Sequence, residues 1–355
     1  MALDDLLRRL IGSDVSDLHF KVGRPPLLRK NGALVNAPGL PPLSADDTAK
    51  IAYGLLKGPQ REELKTGVPV DGSYQLGDDC RFRVNVFRQR NSAAIVLRQI
   101  PMTIPDFEDL NLPPVMREIA DENRGLALVT GVTGSGKSTT LACMMNFINR
   151  RRKVHILTIE DPIEFLYKDN VSSISQVEIG FDAPGFGDAL RSSLRQDPDI
   201  ILVGEMRDLE TVKTGLKAAE MGYMVFSTLH TTDAVKTINR ILDVFPGHQQ
   251  QQVRYQLAGT LRAVISQRLL PRADGKGRRV AMEILRSNAT VKDYIENAEK
   301  TSGLKDVVEG GRDQYGMQTF DQHLTMLYNE GVITLETAME ASSSPADFQR
   351  ALSFE

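Results

Sequence analysis

The run Gly131-Val132-Thr133-Gly134-Ser135-Gly136-Lys137-Ser138 follows the apolar stretch Leu126-Ala127-Leu128-Val129. It precedes a segment in which Leu141, Met144, Met145 and Ile148 recur at helical spacing. Strand, glycine loop and helix in that order leave the segment few ways to fold, because the run fits the phosphate-binding pattern GxxxxGK[ST]. Glycines at 131, 134 and 136 let the backbone turn its N–H groups inward around a phosphate at the positive end of the helix. Lys137 is then placed to neutralise the β- and γ-phosphates and the Ser138 hydroxyl to coordinate Mg²⁺. With Thr133, Ser135 and Thr139 completing the loop and first turn, the segment implies a nucleoside triphosphatase that uses Mg²⁺.

The rest of the chain bounds that reading. A length of 355 residues allows two domains. A net charge of -3, no Trp and no basic-aromatic stripe argue against a nucleic-acid partner. No apolar run approaches the roughly 20 residues that cross a bilayer, and the N-terminus carries no basic stretch before an apolar core, which reads as cytoplasmic. Cys80 and Cys143 stand alone, as core residues and not as a zinc pair.

Residues 81–88 alternate strictly, with Phe82, Val84 and Val86 on one face and Arg81, Arg83 and Asn85 on the other, predicting a half-buried antiparallel strand. Residues 93–97 suit a partner strand, and Asn31-Gly32 a turn. Residues 1–100 therefore read as a small α+β domain. Prolines at 101, 105, 113 and 114 mark 101–115 as a linker. From 116 to 270 apolar strands at 126–130, 154–159, 199–203 and 223–228 alternate with helices, which predicts a mostly parallel sheet covered on both faces. Residues 271–355 read as a helical region with Phe320, Leu324, Leu327 and Tyr328 on one face.

In such a sheet ligands gather at the carboxyl ends of the strands. One strand ends in Glu160-Asp161-Pro162-Ile163-Glu164, carboxylates suited to orient Mg²⁺ or polarise water, although Asp161 before Pro162 also suits a helix cap. Another delivers Glu205 after Gly204, as a Walker B element does. A third leads to His230, placed to sense a γ-phosphate or serving as a hydrogen-bonded structural residue. Arg81, Arg83, Arg88 and Arg90 form either a solvated strand face or a source of positive charge for the phosphates.

Together with Leu194-Arg195-Gln196-Asp197-Pro198-Asp199 and Gly204 to Asp208, these motifs resemble the Walker A, Asp box, Walker B and His box of the secretion ATPase superfamily of type II secretion and type IV pili. The opening Ser16-Asp17-Leu18-His19-Phe20 and the late Gly316-Met317-Gln318-Thr319-Phe320-Asp321 resemble, more narrowly, the pilus retraction ATPases. The resemblance implies a PAS-like N-terminal domain, a RecA-like P-loop domain and a homohexamer with nucleotide between domains. Glu205 is then the catalytic glutamate, Glu164 aids water activation, and Arg81, Arg83 and Arg88 reach the phosphates. It further implies ATP-driven pilus retraction at the inner membrane, with the pilus platform protein and a paralogous pilus ATPase as partners. Residues 289–296 read ATVKDYIE where the main retraction motors carry an AIRNLIRE-like segment. An accessory or weakly hydrolysing partner motor is therefore the alternative.

Overall fold

The alternation at residues 81–88 becomes a strand whose Phe82, Val84 and Val86 are buried while Arg83 is exposed. The computed structural model describes residues 2–12, 14–30, 32–77, 79–100 and 103–352, so Asn31 of the expected turn and Pro101 of the expected linker lie outside it. It divides into two units, Met1–Thr103 with Glu164–Leu166, and Ile104–Ile163 with Tyr167–Glu355.

In the first unit β1 (Val15–Phe20), β2 (Leu27–Lys30), β3 (Ala33–Asn36), β4 (Val70–Leu76), β5 (Cys80–Gln89) and β6 (Ser92–Ile100) form one antiparallel sheet, ordered β3-β2-β1-β6-β5-β4. Its apolar face packs with α1 (Leu3–Leu10), α2 (Ala45–Leu55) and α3 (Gly58–Lys65), which contribute Leu7, Leu10, Ile51, Ala52 and Leu64 to the core. The helix α2 starts cleanly because Ser44 and Asp47 exchange capping hydrogen bonds.

The second unit contains α4 (Val115–Ala120), β7 (Gly125–Thr130), α5 (Lys137–Asn149), β8 (His155–Glu160), β9 (Ser173–Glu178), α6 (Phe186–Ser193), β10 (Ile200–Val203), α7 (Leu209–Glu220), β11 (Met224–Leu229), α8 (Ala234–Asp243), α9 (Gly247–Thr260), β12 (Leu261–Pro271) and β13 (Arg278–Arg286). There follow α10 (Ala289–Glu296), α11 (Leu304–Gly310), α12 (Arg312–Tyr315), α13 (Phe320–Asn329), α14 (Leu335–Ala341) and α15 (Pro345–Leu352). The sheet order is β13-β12-β7-β11-β10-β8-β9, parallel except for β13. Fully buried strands β7, β10 and β11 read as continuous apolar runs because helices cover both faces.

Two expectations are corrected. The segment read as a linker is packed from Ile104 onward, with Phe107, Leu112 and Val115 buried in the core of the second unit, because prolines stop regular pairing but not apolar burial. The region beyond 271, read as helical, opens with the strand β13, paired antiparallel to β12. As the last strand of the sheet, β13 has outward backbone groups to satisfy, and the chain returning before α13 does so. Ile284 N–H donates to Gln318 O at 2.8 Å, Gln318 N–H donates back to Ile284 O at 3.1 Å, and Met282 N–H donates to His323 Nδ1 at 2.9 Å.

Candidate functional site

The apolar strand β7 runs straight into the glycine loop, and the loop's geometry follows from crowding. Gly131 has φ +144°, and a Cβ there would stand 2.5 Å from Ser135 Oγ and 2.6 Å from Gln267 O. Only a residue without a side chain fits. Gly136, at φ +92°, is the N-cap of α5 and supplies no side-chain cap, so the first amides of that helix are left for another acceptor. Ser135 Oγ is buried without a partner. Ser138 is exposed on the first turn, beside the half-buried Thr139, while Thr133 and Gly134 are exposed at the loop's outer bend.

Lys137 opens α5 at 8% exposure. Its Nζ donates to Gly131 O at 2.8 Å and to Val132 O at 3.1 Å, and burial pushes its pKa down. A desolvated ammonium held only by carbonyls gains most from an incoming polyanion. Cradle, uncapped helix, buried cation and orphaned hydroxyl thus fit a nucleotide phosphate chain. Gly131→Ala adds about 1–3 kcal/mol of backbone strain to that overlap. Its affinity for a fluorescent ADP analogue is expected to fall by at least about tenfold, a change of about 1.4 kcal/mol, read by titration of the purified protein.

Because β11 lies between β7 and β10, the chain after β11 sits between the glycine loop and the chain after β10. Glu205, two residues past β10, is fixed by its neighbours. Gly204 N–H donates to Ile159 O at 2.8 Å and Met206 N–H to Thr228 O at 3.2 Å, while the Thr228 hydroxyl donates to Gly204 O at 2.6 Å and that of Ser227 to Val203 O at 2.7 Å. Asp208 then caps α7 by accepting from Thr211 N–H. The Glu205 carboxylate, 17% exposed, contacts the Arg207 guanidinium, and His230 Nε2 lies 3.5 Å from its Oε1. Burial, then the charges of Lys137 and Arg207, lower the His230 pKa, so the ring is neutral at pH 7.

Glu160, at the end of β8, is buried and accepts from the Thr158 hydroxyl at 2.7 Å and from Gln176 Nε2 at 3.3 Å. No helix starts at Asp161-Pro162, so the capping alternative for Asp161 does not hold. In the first unit, Arg81 is half-buried and donates to Ser73 Oγ at 2.8 Å, Arg83 Nη1 lies 4.0 Å from Glu164 Oε1, and Arg88 is exposed. The sequence therefore pointed to Lys137, Ser138, Glu160, Glu205 and His230 at one edge of the second sheet. It gave no role to Ser227, Thr228, Thr158 and Gln176, polar residues whose partners are set by strand register.

Among the described residues no three His, Cys, Asp or Glu side chains converge as a metal cluster. A donor set of one hydroxyl and single carboxylates suits Mg²⁺, which keeps waters and binds largely through substrate phosphates. No helix among the described residues is long and apolar enough to cross a membrane.

Residues 60–351 match the family described as Type II/IV secretion system protein. The chain is 42% identical over 348 residues to the type IV pilus retraction ATPase PilT of Pseudomonas aeruginosa, spanning 98% of this chain and 100% of that one. It is 37% identical over 349 residues to the type IV pilus ATPase PilU of the same organism, spanning 98% and 91%. The crystal structure of the pilus retraction motor PilT with bound ADP matches at a TM-score of 0.91 and 44% identity over 99% of both chains. With a mixed α/β fold and a phosphate loop of this geometry, the chain belongs to the type II/IV secretion system protein family and is an ATPase.

Proposed function

We propose that this chain hydrolyses ATP to drive retraction of a type IV pilus. The observation that carries the reading is the buried, carbonyl-held Lys137 beside the uncapped start of α5, in a chain that is similar to PilT from end to end. In this reading the backbone from Gly131 to Thr139 cradles the phosphates, with Thr133, Gly134, Ser135 and Gly136 lining the loop. Lys137 replaces its carbonyl partners by phosphate oxygens, a stronger, charge-assisted bond. Glu205 orients and accepts a proton from the attacking water, Glu164 assists, and the neutral His230 offers a donor or an acceptor toward the terminal phosphate. Arg81, Arg83 and Arg88 add positive charge to the phosphates. Ser138, Glu160 and Glu205 hold Mg²⁺, which supplies charge screening and polarisation of the phosphoryl oxygens.

We read the first unit as a PAS-like domain and the second as RecA-like. The assembly is a homohexamer in the cytoplasm, peripheral to the inner membrane, working on the pilus platform protein and alongside a paralogous pilus ATPase. The higher identity to PilT than to PilU, 42% against 37%, favours a self-sufficient retraction motor over the accessory role.

The experiment is deletion in the native host with complementation. Loss of twitching with retained surface pili, restored by the wild-type chain and not by Lys137→Ala, is the expected result. Normal twitching in the deletion strain overturns the retraction role, and ATP turnover by Lys137→Ala overturns the site.

A further inference from the structure

Gln267 lies on β12, one residue past the Ser266 that pairs with Thr130, the last residue of β7. The neighbouring pair is tied by side chains as well, Thr130 Oγ1 donating to Ser266 Oγ at 2.9 Å in a fully buried contact. Gln267 itself is 2% exposed and lies against both the entry of the phosphate loop and the first turn of α5. Its backbone carbonyl is what a Cβ at Gly131 would strike, at 2.6 Å. Its Nε2 donates to Thr140 Oγ1 at 2.7 Å, on the first turn of α5. One residue therefore spans from the entry of the glycine loop to the helix that leaves it.

The other half of the same amide is unusual. Gln267 Oε1 is buried with no partner, and so is Ser135 Oγ, which crowds the same glycine. Leaving a buried polar atom unsatisfied costs about 1–3 kcal/mol, so an apolar residue of similar volume would suit this site better if packing were its only task. An amide anchored by its nitrogen and carrying a spare acceptor is instead suited to hold the loop before and after it rearranges around a ligand.

We infer that Gln267 is a positioning residue of the phosphate loop, setting the spacing between Gly131 and α5 through its carbonyl and its bond to Thr140. The assignment rests on the nucleotide-site reading above and concerns affinity, since Gln267 reaches the loop and no reacting group. Losing this buried bond to the first turn of α5 should raise the nucleotide dissociation constant about tenfold.

The test is titration of the full chain with N-methylanthraniloyl-ADP and Mg²⁺, alongside thermal unfolding of each variant. Gln267→Leu and Thr140→Val should each weaken binding about tenfold, the double variant should bind no worse than Gln267→Leu alone, and Thr140→Ser, which keeps the hydroxyl, should bind as the wild type does. Wild-type affinity in Gln267→Leu, or fully additive losses in the double variant, overturns the assignment. If Gln267→Leu does not fold, the contrast between Thr140→Val and Thr140→Ser decides, and equal affinities in that pair overturn it. Lys137→Ala separates the two readings: retained affinity in that variant sinks the nucleotide site itself, whereas lost affinity beside an unaffected Gln267→Leu sinks only the positioning role.

Discussion

Glu205→Gln is expected to lower ATP turnover by about 10²–10⁴-fold while leaving affinity for an ADP analogue titrated without Mg²⁺ within about twofold of wild type. The substitution keeps the size of the side chain and an oxygen for the Arg207 guanidinium to donate to, and it removes only the negative charge and the basicity. Nothing that cradles phosphate is altered. The glycine loop and Lys137 hang from β7 and α5, whereas Glu205 hangs from β10, its backbone held by Ser227 and Thr228 hydroxyls that donate to the Val203 and Gly204 carbonyls and not to its carboxylate. A carboxylate with a low exposure of 17% and a neutral imidazole 3.5 Å away is a fixed base rather than a mobile surface group. The loss should therefore fall on kcat and not on binding, the opposite of Lys137→Ala, where binding itself goes. Steady-state turnover and ADP-analogue titration on the same preparations check both halves. Undiminished kcat in Glu205→Gln would pass the water-orienting role to another carboxylate, and parallel losses in kcat and affinity would make Glu205 a binding residue.

What the sequence made legible was chemistry carried by contiguous residues. The loop from Gly131 to Ser138 declares itself because its special backbone angles and its lysine are adjacent in the chain. Glu205 and His230 were readable because a short apolar strand delivers each of them to a predictable edge. The pieces that escaped depend on partners far along the chain. Gln267 bonds to a threonine 127 residues earlier, and nothing near either residue signals the pairing. The strand β9 was missed because its Ser173, Ser175 and Gln176 give it the look of a polar loop, tolerable at the edge of a sheet. The boundary at 271 failed for a related reason: α9 passes into β12 without a glycine or proline between them, and β12 runs on to Pro271 before turning back as β13. Buried apolar residues on α13, Phe320, Leu324 and Leu327, were read correctly from helical spacing alone, but His323 between them was not.

His323 should make the second unit acid-sensitive between about pH 6.5 and pH 4. The residue is 2% exposed, and burial first, then the charges of Arg279 and Arg312, push its pKa down to about 4. Its Nδ1 accepts the Met282 N–H, a role that only the unprotonated ring nitrogen performs, so protonation breaks the bond that closes the outer edge of β13. An unfolded chain protonates the same ring near pH 6.5. Below that value the unfolded state binds the proton more readily, so the stability conferred by the neutral, buried ring is complete above about pH 6.5 and is lost as pH falls toward 4. A shift of this size corresponds to roughly 3 kcal/mol when fully expressed, at about 1.4 kcal/mol per pKa unit. Carboxylates titrate in the same range, so the informative quantity is the difference between wild type and His323→Gln. Urea unfolding at pH 7.5 and pH 4.5 should show the wild type losing about 2–3 kcal/mol more than the variant over that interval. Exchange protection at the Met282 amide should fall with it in the wild type alone. Equal losses in the two proteins would mean that the ring is protonated in the fold without penalty, and that the edge of β13 is held by Gln318 and not by His323.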